Sequence, residues 1–325
     1  MLHVRRSVVA LLACAALAAT AGTSAAQAAP RSEDALTASV TRNTNAADRQ
    51  RILDYWTPER RRNARVPVLT RNASGTVTRT LRSQEDAADP PGGNIQLPDS
   101  PIAGKLFYFN PESGEDETCS GTVVDAPSES LVMTAAHCLK AGGENGTANG
   151  AWYEDIVFVP GYGSGGLENA FVWYYMKVAQ RWSTWSDTAR DVGSVVVEKL
   201  NGSTLEAHTG NGATFVWNQG VNTPRTIVTQ AYPQNVSNGQ FQVSCQATTE
   251  NAQPQWDHVG IAVPGCWLNQ GASGSGWILD WGTGSKKILG LTSSLDISDG
   301  SNYSPYFDSN TNVQYTTAST VMPPA

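Results

Sequence analysis

From Ile102 onward the chain gathers its apolar residues into short runs, some continuous and some alternating with polar positions: "GKLFYF", "GTVVD", "SLVMTA", "DIVFVPGY", "FVWYYMKVA", "VGSVVVEKL", "ATFVWN", "RTIVTQAY", "GQFQVSC", "GWILDW" and "KKILGLTSSL". Val, Ile, Thr and aromatic residues dominate them, the types that fit a pleated, half-buried surface. Gly, Asn, Asp, Ser or Pro separates one run from the next. Many short strands with such punctuation predict an all-β sandwich or barrel. No clear 3.6-residue periodicity extends beyond about ten residues, so long amphipathic helices are not expected. Roughly 225 residues are long for one small barrel and comfortable for two. The ten tryptophans could form a carbohydrate-binding surface, but large rings more often fill the interior of a β domain.

Upstream, the pattern differs. Residues 29 to about 98 lack sustained strand alternation and are rich in Arg, Ala, Asn, Ser and Thr. A short helical piece is expected from Ala46 to Arg62, interrupted by Pro58. The segment closes on "AADPPGGNIQLPDSP", whose Pro and Gly mark a linker. Residues 1–28 read as a secretory signal: Arg5 and Arg6 form a basic start, Val8 to Ala19 an apolar core, and Ala26-Gln27-Ala28 a cleavage site. The apolar stretch is too short to span a bilayer. An exported chain without a membrane anchor after signal removal is therefore expected. Residues 29–98 then read as a propeptide and linker, and 99–325 as the working domain.

Charge divides along the same line. Residues 31–98 carry a balance of +3 and residues 99–325 a balance of −12. An acidic body argues against binding a phosphate backbone, which needs clustered Lys and Arg; no nucleic acid partner is expected. Cys14 leaves with the signal, and Cys119, Cys138, Cys245 and Cys266 remain. An even set in an exported chain reads as two disulfides with three possible pairings. None of the four has the C-x-x-C spacing of a metal site, and the acid-rich "SGEDET" shows no regular calcium-ligand spacing. No metal or cofactor is implied.

Three short stretches carry candidate chemistry. In "CSGTVVDAPSESLVMTAAHC" two apolar strands flank a turn-rich loop, and antiparallel pairing would bring Cys119 and Cys138 to the same end. A bridge there would close about twenty residues, worth about 3 kcal/mol on a chain-entropy estimate. It would fix His137, which is then a core histidine, a metal ligand or a positioned base. In "NQGASGSGW", Ser273 stands among glycines that let backbone N–H groups point at a ligand; acyl transfer needs two such donors beside its nucleophile. In "ARDVGSVVVEKL", Asp191 stands where a loop meets a β-branched run and could hold an imidazole tautomer. The chain order His, Asp, Ser excludes an α/β-hydrolase, which needs Ser, acid, His and G-x-S-x-G.

"MTAAHC" with Cys119 upstream, "RDVG" before an apolar strand, and "GASGSG" resemble the chymotrypsin/trypsin-like serine proteases. "GKLFYF", "FVPGY", "AYP" and "YWTPER" resemble the bacterial secreted branch. The resemblance implies two six-stranded antiparallel β-barrels, about 102–200 and 201–322, with the active site in the cleft between them. It implies His137 as general base and then acid, Asp191 as its orienting partner and Ser273 as nucleophile, with the Gly271 and Ser273 N–H groups as oxyanion hole. It pairs Cys119 with Cys138 and leaves Cys245 with Cys266 to brace the loop leading to the serine. A monomeric serine endopeptidase acting on protein or peptide substrates is expected, made as a zymogen with its own propeptide as inhibitor.

The sequence departs from the family's G-D-S-G-G-P at Ala272, Ser275 and Gly276. Without the Asp, activation cannot rest on an ion pair with a newly cut N-terminus, and removal of an occluding propeptide is expected, with help from the charge asymmetry. The position six before the serine, an Asp in trypsin-like pockets, is Trp267. The bacterial glutamyl peptidases use a histidine downstream of the serine, and none follows Ser273. Ser293 or Ser294 is expected to line the substrate edge. Two other classes fit the scaffold: a non-catalytic binding module and an esterase.

Overall fold

The β-branched runs of the chain become strands in the computed structural model, which describes residues 36–72, 77–82, 94–95, 97–144, 146, 149–163, 166–234, 236–251, 260–264, 266, 268, 270–296 and 300–324. The signal segment 1–28, its cleavage site, most of the Pro/Gly linker and Trp267 lie outside these residues. The described residues belong to one unit, Ser32–Ala325.

The N-terminal segment holds more strand than its pattern suggests. It runs β1 (Thr37–Thr41), α1 (Ala46–Tyr55), α2 (Pro58–Asn63), β2 (Val66–Arg71), β3 (Val77–Arg82) and β4 (Asn94–Ile95). The helical piece sits where expected. Asn45 caps α1 by accepting from Asp48 N at 2.8 Å, and Pro58 opens α2 at a position where its missing N–H costs nothing. The four strands were not expected, because "TASVT" and "VTRTLR" offer alternation without a strong apolar face. β2 and β3 pair with each other, Val66 opposite Arg82; β1, β2 and β4 also take partners from far along the chain.

The next stretch comprises β5 (Ala103–Asn110), β6 (Glu115–Val124), β7 (Leu131–Thr134), β8 (Glu154–Pro160), β9 (Phe171–Ala179), helix α3 (Gln180–Trp185) and β10 (Gly193–Val197). These strands pair in the order β9-β10-β7-β6-β5-β8, and β8 returns to β9, closing a six-stranded antiparallel barrel. β1 adds to the outer edge of β9, Thr37 opposite Ala179 and Thr41 opposite Tyr175. The interior is filled by Leu106, Val123, Val132, Phe158, Met176 and Val195, all fully buried.

The last third holds helix α4 (Leu205–Thr209) and then β11 (Thr214–Phe215), β12 (Thr226–Ala231), β13 (Val243–Thr248), β14 (Glu250–Asn251), β15 (Gly260–Val263), β16 (Gly276–Leu279), β17 (Lys287–Leu291), β18 (Ser294–Asp296), β19 (Asn302–Pro305) and helix α5 (Ser309–Ser319). They form two sheets, β11-β17-β16-β12-β13-β4 and β14-β15-β19-β18-β2-β3, so each takes in strands of the N-terminal segment. A second core gathers Ile227, Ala231, Cys245, Val263, Cys266, Leu268 and Trp277. α5 carries no apolar stripe. It is held by the Asp308 cap, which accepts from Asn310 N and Thr311 N, and by buried Gln314, whose amide donates to Val192 O at 2.9 Å.

The N-terminal segment is built into this body. Ile52, Trp56, Ala64 and Val66 are fully or almost fully buried, and Trp56 Nε1 donates to Asp155 O at 2.5 Å. Trp56, Trp182 and Trp277 are core residues, the interior role expected of the tryptophans. No helix among the described residues is long and apolar enough to cross a membrane.

Candidate active site

His137 sits in a 3-10 turn, Ala136–Cys138, directly after β7. Asp191 lies two residues before β10. Because β10 pairs antiparallel with β7, Gly193 opposite Thr134, the turn and the aspartate meet at the same end of the barrel. Asp191 Oδ1 accepts from His137 N at 2.8 Å, and Asp191 Oδ2 lies 2.7 Å from His137 Nδ1. Both side chains are fully buried. A buried carboxylate needs all the donors it can gather. Asp191 finds its third in Ser293, whose Oγ donates to Oδ2 at 2.6 Å.

With Nδ1 facing a carboxylate, the imidazole carries its proton there and presents Nε2 as a base. Nε2 is buried and has no hydrogen-bond partner among the described residues. The His137 ring leans on Trp182, centroids 6.3 Å apart.

Ser273 is carried by the loop between β15 and β16. Ser120 is the joint that fixes it: its N–H donates to Ser273 O at 2.8 Å and its hydroxyl to Gly271 O at 2.7 Å. Ser120 also accepts at Oγ from Tyr232 N and at its carbonyl from Thr134 Oγ1. One residue of β6 thus ties the serine loop to the strand that leads to His137. Cys138 Sγ lies 3.9 Å from Ser273 O. No direct hydrogen bond joins Ser273 to His137 among the described residues. The structure brings His137 and Asp191 into contact and sets Ser273 against the neighbouring disulfide.

The turn around Ser273 demands glycine on both sides. Gly271 has φ +87° and a Cβ there would meet Tyr232 O at 2.5 Å; Gly274 has φ +85° and a Cβ would meet Thr134 Oγ1 at 2.0 Å. Neither a side chain nor an ordinary backbone conformation is tolerated at these positions. Beyond the turn, Gly274 N donates to Thr292 O and Gly276 N to Thr122 Oγ1. The Gly271 and Ser273 N–H groups donate to no described residue.

Cys119 is bonded to Cys138, with Cα atoms 6.1 Å apart, and Cys245 to Cys266, with Cα atoms 5.7 Å apart. The donor atoms of Cys119, His137 and Cys138 lie within 4.8 Å of one another, but metal ligation by cysteine uses the thiolate and both sulfurs are spent on each other.

Sequence reasoning placed Ser293 at the substrate edge with Ser294 as its equal; the structure distinguishes them, since Ser293 holds Asp191. It missed Ser120. The signal available was its position next to Cys119, but nothing in the spacing tells that its partners lie near residues 134, 232 and 273.

The N-terminal segment reaches this site. Arg65 N donates to Asp116 O and Arg65 O accepts from Thr118 N, a parallel bridge to β6. A few residues on, β2 pairs in parallel with β18, Thr70 opposite Leu295 and Arg71 opposite Asp296. Between these anchors Pro67, Val68 and Leu69 share a narrow cavity with Ser273, Ser293 and Leu295.

No protein-family model and no curated protein sequence matches the chain. Solved structures do. A thermostable serine protease, AL20, from an extremophilic microorganism superposes with a TM-score of 0.60 at 27% identity, covering 68% of this chain and 98% of its own. The protease Anisep from Arthrobacter nicotinovorans gives 0.61 at 25% identity, covering 70% of this chain and 100% of its own. A Glu endopeptidase gives 0.53 at 12% identity, over 71% of this chain and 99% of its own, a likeness of fold alone. The chain is similar to serine proteases and has their chymotrypsin/trypsin-like, mostly-β fold.

Proposed function

We propose that the protein is an exported serine endopeptidase that hydrolyses peptide bonds through an acyl-enzyme, with residues 99–325 as the catalytic domain and 29–98 as a propeptide and linker that restrain it. The observation that carries this reading is the buried His137–Asp191 pair, whose free Nε2 faces no protein partner beside the loop that presents Ser273.

In this reading Ser273 Oγ attacks the scissile carbonyl carbon while His137 Nε2 takes the hydroxyl proton. Asp191 keeps the Nδ1–H tautomer and stabilises the imidazolium. The carbonyl oxygen, now anionic, meets the Gly271 and Ser273 N–H groups. The C–N bond breaks as the imidazolium gives its proton to the departing amine, leaving an ester on Ser273. Water then surrenders a proton to His137, its hydroxide adds to the ester, and Ser273 leaves with that proton.

Restraint is attributed to the segment that crosses the cleft from Arg65 to Arg71. The arginines of residues 29–98 match the charge asymmetry: Arg42 and Arg49 engage Glu198, Arg51 engages Asp155 at 2.8 Å, and Arg60 engages Asp116 at 2.7 Å. AL20 and Anisep cover about the share of the chain that residues 99–325 make up.

The test is labelling of the activated protein with a fluorophosphonate, followed by peptide mapping. Ser273 is expected to carry the label, and Ser273→Ala to lose both label and peptide hydrolysis while still being secreted. A labelled protein that cleaves only simple esters would make it an esterase, and an unlabelled one a binding module.

A further inference from the structure

Glu117 is a fully buried carboxylate on β6, and the chemistry described above makes no use of it. Its Oε1 accepts from Asn110 Nδ2 at 2.9 Å and from Ser113 Oγ at 3.3 Å. Its Oε2 accepts from Arg79 Nη2 at 2.6 Å. Arg79 belongs to β3, in the segment read as the propeptide, and its guanidinium also reaches Tyr153 Oη at 3.5 Å. The arginine therefore rests on two groups of the body, a carboxylate and a tyrosine.

Beside it opens a cavity of about 470 Å³ shared by Arg79, Leu69 and Val77 on one side and by Glu112, Tyr153 and Trp182 on the other. Trp182 is the ring that leans on His137. Glu117 stands three residues before Ser120 on one strand, hence about 10 Å from the joint that fixes Ser273. Lys140, a cation of the body, is tied to Gly150 O and stands 4.8 Å from the Trp152 ring. When β2 and β3 depart, Leu69, Val77 and Arg79 leave together. What remains is a hollow beside the catalytic pair, lined by Glu112 and by Asn110 and Ser113, the two donors to Glu117, whose charge partner is gone. Glu117 would keep Asn110 and Ser113 as donors but lack a cation, and a cationic side chain entering the hollow would restore the pair.

Resting on the reading of residues 29–98 as a releasable segment, we propose that Glu117 is a specificity-determining residue of the mature protease: it forms a subsite for an arginine or lysine side chain of the substrate, and Arg79 fills that subsite in the uncleaved chain. At about 3.3 Å per extended residue, the cation belongs within about three residues of the scissile bond. Arginine fits best, since its planar fork can meet a carboxylate with two donors.

The experiment uses active protein obtained from the full chain and a peptide series carrying Arg, Lys, norleucine or Glu at each of three positions on either side of the scissile bond. At one position Arg and Lys are expected to exceed norleucine in kcat/KM by roughly ten- to a hundred-fold, the worth of a charge-assisted hydrogen bond. Added salt should narrow that ratio. Glu117→Gln should bring it close to one, and Glu117→Asp should keep most of it. A purely structural Glu117 would lower hydrolysis of all peptides together and leave the ratio alone. A flat profile at every position, or an unchanged ratio in Glu117→Gln, overturns the proposal while leaving the protease reading intact. Should Glu117→Gln not fold, Glu117→Asp and the salt series on the unaltered protein decide. Failure of every peptide together with absence of fluorophosphonate labelling would sink the protease reading, and this subsite with it.

Discussion

Asp191 has a demanding position for a carboxylate: fully buried, and answered by His137 N, His137 Nδ1 and Ser293 Oγ. Each donor restricts it further, so the imidazole it faces is held in one tautomer and one orientation. Asp191→Asn keeps the shape but offers an amide N–H where an acceptor is required, which turns the ring proton to the wrong nitrogen. A fall in kcat of about 10⁴ is expected at neutral pH. Ser293→Ala removes one donor to a charged acceptor, worth about 1.5–3 kcal/mol, and should lower kcat by roughly ten-fold or more. Because Ser293 acts only through Asp191, adding Ser293→Ala to Asp191→Asn should cost little more. Steady-state hydrolysis by the three variants checks all of this, and full additivity would show that Ser293 works by another route.

At the scale of elements, the longest unbroken apolar run after Ile102 lies in "FVWYYMKVA", which is β9 to the residue, and most other runs from "GKLFYF" to "KKILGLTSSL" hold a strand at their centre. Burial of consecutive side chains leaves a mark that needs no knowledge of the partner. The polar strands left little: the side chains of "VTRTLR" alternate between half-buried and exposed, its ladder partner is the neighbouring β2, and the sheet that receives the pair through β18 lies some two hundred positions away. The same distance problem hid Glu117 inside "SGEDET", which reads as a solvated loop because Arg79 lies 38 positions upstream. His137, Asp191 and Ser273 could be singled out because short motifs frame each of them; the contacts of Ser120 and Ser293 exist only in the folded chain. The arginine pairs of α1 and α2 give this scale its own prediction. Arg51–Asp155 and Arg60–Asp116 are partly exposed on the arginine side, so ions screen them, whereas Glu198 is buried beneath Arg42. Raising sodium chloride from about 0.05 to 0.5 M, across which the Debye length shrinks from roughly 14 to 4 Å, should speed appearance of the fluorophosphonate-reactive form of the full chain. Arg42→Ala should speed it at every salt concentration. Activation indifferent to both would remove charge from the account of restraint.

The two halves of the molecule meet over a buried lysine. Lys105, on β5, is 1% exposed and donates to Gly239 O at 2.7 Å, with the Phe107 and Tyr162 rings each 5.2 Å from Nζ. Burial pulls its pKa down from 10.5 to about 7. Between those values the unfolded chain binds the proton that the folded chain has given up, so stability should rise with pH from about 7 to 10 and be lowest below 7. Urea midpoints measured across that range should climb, and Lys105→Met should flatten the climb; an identical slope in the variant would remove the lysine from the explanation. β1 carries a different consequence for the whole molecule. It covers the outer edge of β9 from Tyr175 to Ala179, the part not closed by β8. A chain stripped of its N-terminal arm bares five residues of unpaired backbone there, a ready template for a foreign strand. If residues 29–98 are shed, as proposed, that edge is left for solvent or a neighbouring chain to cover.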